Sequence, residues 1–150
     1  MKLVLATQNP KKLKEMNEIL RHLGVEVVSE AELGVRIEVE ETGETFTDNA
    51  RLKATAVMQA TGLPAVADDS GLCVDALNGG PGVYSARFGG EGLDDKGRYT
   101  LLLEMLRGQT DRAAHFHTSI VCAFPNGDEL VCEGECPGTI AFAPMGEGGF

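Results

Sequence analysis

The chain has 150 residues and a formal net charge of −10, with 43% hydrophobic and 24% charged residues. That is the length of one domain and the composition of a globular one, which excludes disordered and fibrous classes and leaves no run near the roughly 20 apolar residues of a membrane span. The acidic balance excludes a long nucleic-acid groove, and a small anionic substrate fits only where a metal ion and a few lysines overturn the field locally.

Leu3-Val4-Leu5-Ala6 reads as a short buried strand. Met1 to Ala6 is too short for a secretory signal, so a cytoplasmic protein is expected. Asn9 then has the chemistry of a helix N-cap, with Pro10 at the first helical position. Leu13, Met16, Leu20 and Leu23 recur at helical spacing, and Gly24 stops that helix. Val25 to Val28 and, more weakly, Arg36 to Glu40 predict two further strands. Thr45-Phe46-Thr47-Asp48 fits a capping box opening a helix to about Thr61, with Phe46, Ala50, Ala54, Val57 and Met58 inward. Ala65 to Ala67 predicts a strand that ends in Asp68-Asp69-Ser70-Gly71, and Leu72 to Leu77 predicts another. Residues 78 to 92 are glycine-rich and read as a functional loop. A third helix is expected from Asp94 to Leu106, with Leu101, Leu102, Met105 and Leu106 as its core stripe. Ala114 to Phe124 and Glu129 to Cys136 predict a hairpin around Pro125-Asn126-Gly127-Asp128. Helices interleaved with strands, then a hairpin, argue an α/β fold with a mixed sheet.

Several groups of residues could carry chemistry. Thr7-Gln8-Asn9-Pro10-Lys11-Lys12 joins a strand to a helix N-terminus, where free N–H groups and the helix dipole favour an anion. It lacks the glycines of a Walker loop, and a capped surface helix with solvated lysines is the alternative. Asp68 and Asp69 sit side by side at the end of an apolar strand, which is costly unless they are paired, solvated or bound to a cation. Magnesium suits one or two carboxylates plus water and phosphate oxygens, while turn chemistry is the rival explanation. Glu38, Glu40 and Glu41 read as a solvated edge unless folding sets Glu41 beside Asp69. Asn49 and Lys53 share a helix face at i,i+4, so Lys53 could reach a phosphate. Arg87, after Gly79-Gly80-Pro81-Gly82, suits a phosphate clamp or a pair with a nearby aspartate. His115 and His117 alternate on a strand with no third metal ligand evident, which favours ordinary core or surface histidines. Cys73, Cys122, Cys132 and Cys136 lack zinc-ribbon or thioredoxin spacing and are expected as reduced thiols.

Thr7-Gln8-Asn9-Pro10-Lys11-Lys12, Glu41-Thr42-Gly43, Phe46 with Asn49-Ala50 and Lys53-Ala54, Asp68-Asp69-Ser70-Gly71-Leu72, Pro81-Gly82-Val83-Tyr84-Ser85-Ala86-Arg87, Phe116-His117 and Pro144 to Phe150 follow in order. Together they resemble the inosine and xanthosine triphosphatase family of purine nucleoside triphosphate pyrophosphatases, over essentially the whole chain. The resemblance implies an elongated, two-lobed fold on a mixed twisted sheet with flanking helices. It implies hydrolysis of ITP, dITP and XTP to monophosphate and pyrophosphate, which cleanses the nucleotide pool. It assigns Asp69 as general base and magnesium ligand and Glu41 as a second ligand. Thr7, Gln8, Asn9, Pro10, Lys11, Lys12, Lys53, Ser70 and Phe150 are assigned to the substrate. It further implies Mg2+ as cofactor, a purine nucleoside triphosphate as partner, no nucleic acid or membrane, and a homodimer. Family members continue past Phe150 with segments that read the base. Residues 1–150 are therefore expected as one pyrophosphatase domain without its C-terminal base-recognition segment. The rival reading is a truncated, inactive nucleotide-binding or self-associating module.

Overall fold

Six strands and three α-helices alternate along the chain in the computed structural model, which describes residues 1–7, 9–146 and 149–150. The strands are β1 (Lys2–Leu5), β2 (Glu26–Ser29), β3 (Ala65–Val74), β4 (Gly80–Pro81), β5 (Ala113–Ala123) and β6 (Glu129–Thr139). The helices are α1 (Pro10–Leu20), α2 (Phe46–Thr61) and α3 (Asp95–Met105). One sheet runs β2-β1-β3-β5-β6, with β4 paired to β3. β1 is parallel to β2 and β3, and β4 is antiparallel to β3, so the sheet is mixed as the order of elements predicts.

The chain forms two compact units. The first comprises Met1–Asp69 and Ser119–Glu133. Its sheet is covered on both faces, and the period-2 alternation of each strand decides which residue meets which helix. Leu3 and Leu5 of β1, Val66 of β3 and Cys122 of β5 pack with Leu13, Met16 and Leu20 of α1. Val4 of β1 and Ala65 of β3 pack with Val57 of α2, while Ala67, Val121 and Ala123 pack with Ala50 and Ala54. The alanines let α2 lie close to the sheet, which fixes the side chains on its rim.

The second unit comprises Ser70–Thr118 and Gly134–Phe150. Its core is Val74, Leu102, Leu106 and Ala114, with Leu72, Phe88 and Ile140 packed against it. Arg112 is held by the main-chain oxygens of Ile140, Leu106 and Ala141 and lies over the Phe142 ring.

Local chemistry sets the helix ends as expected. Asn9 caps α1 by accepting from Lys11 N at 3.0 Å, and Thr45 caps α2 by accepting from Asp48 N at 3.1 Å. Gly62 closes α2 at φ 70°, a conformation glycine adopts without strain.

Four expectations change. Arg36 to Glu40 carries no strand. Asp68-Asp69-Ser70-Gly71 does not break the sheet: β3 runs through it to Val74, and a 3-10 turn at Asp75–Leu77 replaces the end of the second expected strand. Tertiary pairing overrides the turn propensity of those four residues. Leu23 is 65% exposed and Met105 47% exposed, each in the last turn of its helical segment, where the apolar stripe runs past the sheet. Gly79 and Gly80 lead into β4 and then a 3-10 segment at Gly82–Arg87, so the glycine-rich stretch is a folded connection.

Candidate functional site

Asp69 is the most unusual carboxylate of the first unit. Its Oδ2 is buried and makes no hydrogen bond among the described residues. Burial pushes its carboxyl up from the ordinary aspartate range. The Lys53 ammonium opposes that shift, Glu41 adds to it, the Asn49 amide opposes it and Asp68 adds to it. The Asn49 amide nitrogen is itself buried and makes no hydrogen bond of ordinary geometry, so its help to Asp69 is weaker than that of Lys53. Five side chains from three stretches of sequence therefore share one electrostatic neighbourhood.

α2 supplies the cation. Lys53 projects from the middle of the helix and donates to the main-chain oxygen of Asp68 at 2.6 Å, and its Nζ lies 3.1 Å from Glu41 Oε1. The same helix positions the stretch that carries Glu41. Asn49 is fully buried, and its Oδ1 accepts from Gly43 N at 2.8 Å. A methyl group at Gly43 would lie 2.6 Å from Asp48 Cβ and 2.7 Å from Asn49 Oδ1, so the close approach of 41–43 to α2 requires glycine. Glu41 thus pairs with Lys53 and lies near enough to Asp69 to help raise its carboxyl.

α1 supplies a second lysine. Lys12 Nζ lies 2.7 Å from Asp68 Oδ2, so of the two adjacent aspartates Asp68 is neutralised and Asp69 is not. Thr7 Oγ1 accepts from Asn9 N at 3.2 Å. The N–H groups of Asn9 and Lys11 are thus already bonded, and fewer main-chain donors face an incoming anion than the sequence suggests. No acid occupies the first turn of α1, which leaves the positive end of its dipole unopposed. Pro10 and Lys11 are exposed at that end. Gln8 lies outside the described residues, as do Glu147 and Gly148 of the last motif.

Two concavities flank Thr7. One, of about 340 Å3, is lined by Ala6, Thr7, Glu30, Glu38 and Lys53 among others. The other, of about 380 Å3, is lined by Thr7, Asn9, Pro10, Ser29, Glu30 and Arg36 among others. Both fall in the size range of small-molecule sites. Glu30 borders both, is only 7% exposed, and has its carboxyl pushed up by burial. The sequence alone passes over Glu30, because nothing local separates it from its neighbour Glu32.

The remaining site residues belong to the second unit. Ser70 Oγ lies 2.9 Å from Thr118 Oγ1. Phe150 stacks on Phe88 with ring centroids 5.8 Å apart and 14° between planes. Arg87 lies over Tyr84 at 5.2 Å from the ring centroid.

A divalent cation fits the first unit on structural grounds. The buried Asp69 Oδ2 has no hydrogen-bond partner among the described residues, and Glu41 lies near enough to act on the same carboxyl. Two carboxylates with phosphate and water oxygens make the donor set that magnesium prefers.

The family model described as the Ham1 family matches residues 3–150. A dITP/XTP pyrophosphatase of Desulforamulus reducens is 53% identical over 152 residues, covering 100% of this chain and 76% of that protein. A dITP/XTP pyrophosphatase of Exiguobacterium sp. is 49% identical over 150 residues, with the same two shares. The solved structure of a HAM1 protein from Coxiella burnetii matches with a TM-score of 0.93 at 44% identity, covering 100% of this chain and 78% of that one. The chain thus spans about three quarters of the length of these relatives.

Proposed function

The chain belongs to the Ham1 family, and on that premise we propose that it hydrolyses dITP, XTP and ITP to the nucleoside monophosphate and pyrophosphate. The observation that carries the reading is the Asp69 carboxylate, buried without a hydrogen-bond partner at Oδ2 and faced by Glu41 and Lys53.

Asp69 and Glu41 would hold Mg2+, which when bound neutralises phosphate charge and lowers the barrier to attack. The rest falls to the chain's own groups. Lys53 reaches the main-chain oxygen of Asp68 and Lys12 its carboxylate, and the two supply the positive charge that a triphosphate needs on a chain of net charge −10. Thr7, the Asn9 amide and the N-terminal end of α1 border the concavities and orient phosphate oxygens. Asp69 accepts the proton of a water whose oxygen attacks the α-phosphorus. The bond from that phosphorus to the bridging oxygen breaks, and pyrophosphate leaves. Such transfer is mostly positioning and charge neutralisation, so two lysines and a cation suffice without a covalent nucleophile. Ser70 and Phe150, of the second unit, stand as the further substrate-binding residues on the family resemblance alone.

A homodimer is the proposed assembly, on the family resemblance. The cytoplasm is the proposed compartment: the four cysteines are free, and among the described residues no helix is long and apolar enough to cross a membrane.

The test is to incubate the chain with ITP, dITP, XTP and ATP, with Mg2+ or with EDTA, and to assay pyrophosphate against orthophosphate. Magnesium-dependent pyrophosphate release from the inosine and xanthosine substrates, lost in Asp69→Asn, is expected. Orthophosphate as the first product, or equal turnover in EDTA, would overturn the reading.

A further inference from the structure

His115 and His117 are two residues apart on β5, so the alternation of the strand turns both imidazoles to one face. β6 is the hydrogen-bonded neighbour of β5 and returns through residues 124–128. It brings Glu135 to the same face. Glu135 Oε1 lies 3.2 Å from His117 Nδ1 and 3.8 Å from His115 Nε2. One ligand atom from each of the three residues lies within 4.8 Å of the others. Tetrahedral bonds of about 2.0–2.2 Å hold neighbouring ligand atoms about 3.4 Å apart, so small side-chain rotations would close this set on an ion.

We propose that His115, His117 and Glu135 bind one divalent transition-metal ion of the zinc class, with water completing its coordination. The three residues all belong to the second unit, whereas Asp69, Glu41 and Lys53 belong to the first. The donor chemistry separates the two sites as well. Two imidazoles select zinc, cobalt, nickel or copper, whereas magnesium prefers an all-oxygen set. The imidazoles are 30% and 19% exposed and the carboxylate 61%, so an ion has a path in and water has room at the open position. Cys132 and Cys136 stand at positions of β6 that alternate away from Glu135, which leaves their thiols out of the set. An ion held by β5 and β6 together binds only the folded hairpin, so it stabilises the fold by an amount that grows with the logarithm of free ion above its Kd.

The experiment titrates Co2+ into the full chain in excess Mg2+, follows the visible ligand-field bands, and then displaces Co2+ with Zn2+. Saturation at one equivalent without a thiolate charge-transfer band, reversed by Zn2+, is expected. His115→Gln and His117→Gln should each weaken binding by about tenfold or more, and Glu135→Gln, which keeps the size of the side chain, should weaken it measurably. Cys132→Ser with Cys136→Ser should change nothing. Zn2+ should raise the unfolding temperature of the wild type and not that of His115→Gln. The proposal fails if the double variant His115→Gln/His117→Gln binds Co2+ as the wild type does. It fails equally if the wild type binds none, which would make the cluster a histidine–carboxylate ion pair alone, or if binding is lost with the cysteines.

Discussion

Lys53 Nζ donates a 2.6 Å hydrogen bond to the main-chain oxygen of Asp68. Through it a helix side chain grips β3 one residue before Asp69. The same ammonium lies 3.1 Å from Glu41 and is the strongest influence opposing the upward shift of Asp69. Lys53→Met keeps much of the stem and removes the charge. Its loss should leave Glu41 and Asp69 facing each other with less compensation and push the Asp69 carboxyl higher still. We expect kcat/KM for dITP to fall about a hundredfold, roughly 2.7 kcal/mol of transition-state stabilisation, with a smaller fall in thermal stability. Steady-state kinetics beside a melting curve separates the two. A variant that loses stability but keeps kcat/KM would reduce Lys53 to a structural tie.

Asp69 gives a prediction whose sign is set by linkage. Burial raises its carboxyl in the metal-free fold, while the unfolded chain keeps the ordinary value. Over that window the folded protein holds a proton that the unfolded chain has released, so metal-free stability falls as pH rises from about 4. Asp69→Asn removes this penalty. In EDTA at neutral pH the variant should be more stable than the wild type, and its pH dependence should be flatter. Some slope of the same sign remains from Glu30, whose carboxyl burial also raises. Urea unfolding across pH measures this, and a variant no more stable than the wild type at pH 7 counts against a penalised Asp69. Added Mg2+ should stabilise only the wild type, so one substitution trades activity for metal-free stability.

Thr45→Ala is the structural counterpart. The threonine hydroxyl accepts from Asp48 N at 3.1 Å and begins the helix that carries Asn49 and Lys53. Its removal should cost about 1 kcal/mol, read as a lower urea midpoint at unchanged slope. Turnover per folded molecule should stay at the wild-type level. A large loss of kcat/KM in a folded variant would show that the α2 N-terminus serves the chemistry directly.

Local signals made much of this legible in advance. Asn9, Pro10, Thr45 and Gly62 mark helix ends because their chemistry acts over one turn, and the structure places those ends as the residues foretell. The inward stripe of α2 follows from periodicity in the same way. Asp68-Asp69-Ser70-Gly71 misleads because turn propensity is a local preference, and β3 answers to its neighbours in the sheet. Glu30 and Glu135 are not legible in the sequence for a related reason. Each is an ordinary acid in sequence, and only the crossing of distant segments gives one its burial and the other its two histidines. Asn49 lay between these cases. Spacing puts it on the Lys53 face, but its bond to Gly43, which sets the approach of the Glu41 stretch, is visible only in three dimensions.

That bond yields the last prediction. Gly43 N donates to Asn49 Oδ1 at 2.8 Å, and a Cβ at Gly43 would fall 2.6 Å from Asp48 Cβ and 3.1 Å from Asn49 N. Both belong to the first turn of α2, whose backbone is held by the Thr45 cap and by packing, so the segment at 41–43 must move instead. Gly43→Ala should therefore break the Asn49 bond and draw Glu41 away from Lys53 and Asp69. Overpacking of this kind costs about 1–3 kcal/mol, and we expect a loss of that size in urea unfolding. The functional mark is more specific. If Glu41 shares the cation with Asp69, the Mg2+ concentration for half-maximal pyrophosphate release should rise about tenfold or more, while saturating Mg2+ restores part of kcat. Asn49→Asp keeps the acceptor oxygen and should leave the placement of Glu41 closer to the wild type than Gly43→Ala does. A Gly43→Ala protein with wild-type stability and wild-type Mg2+ dependence would mean that the 41–43 stretch does not position Glu41 for the metal.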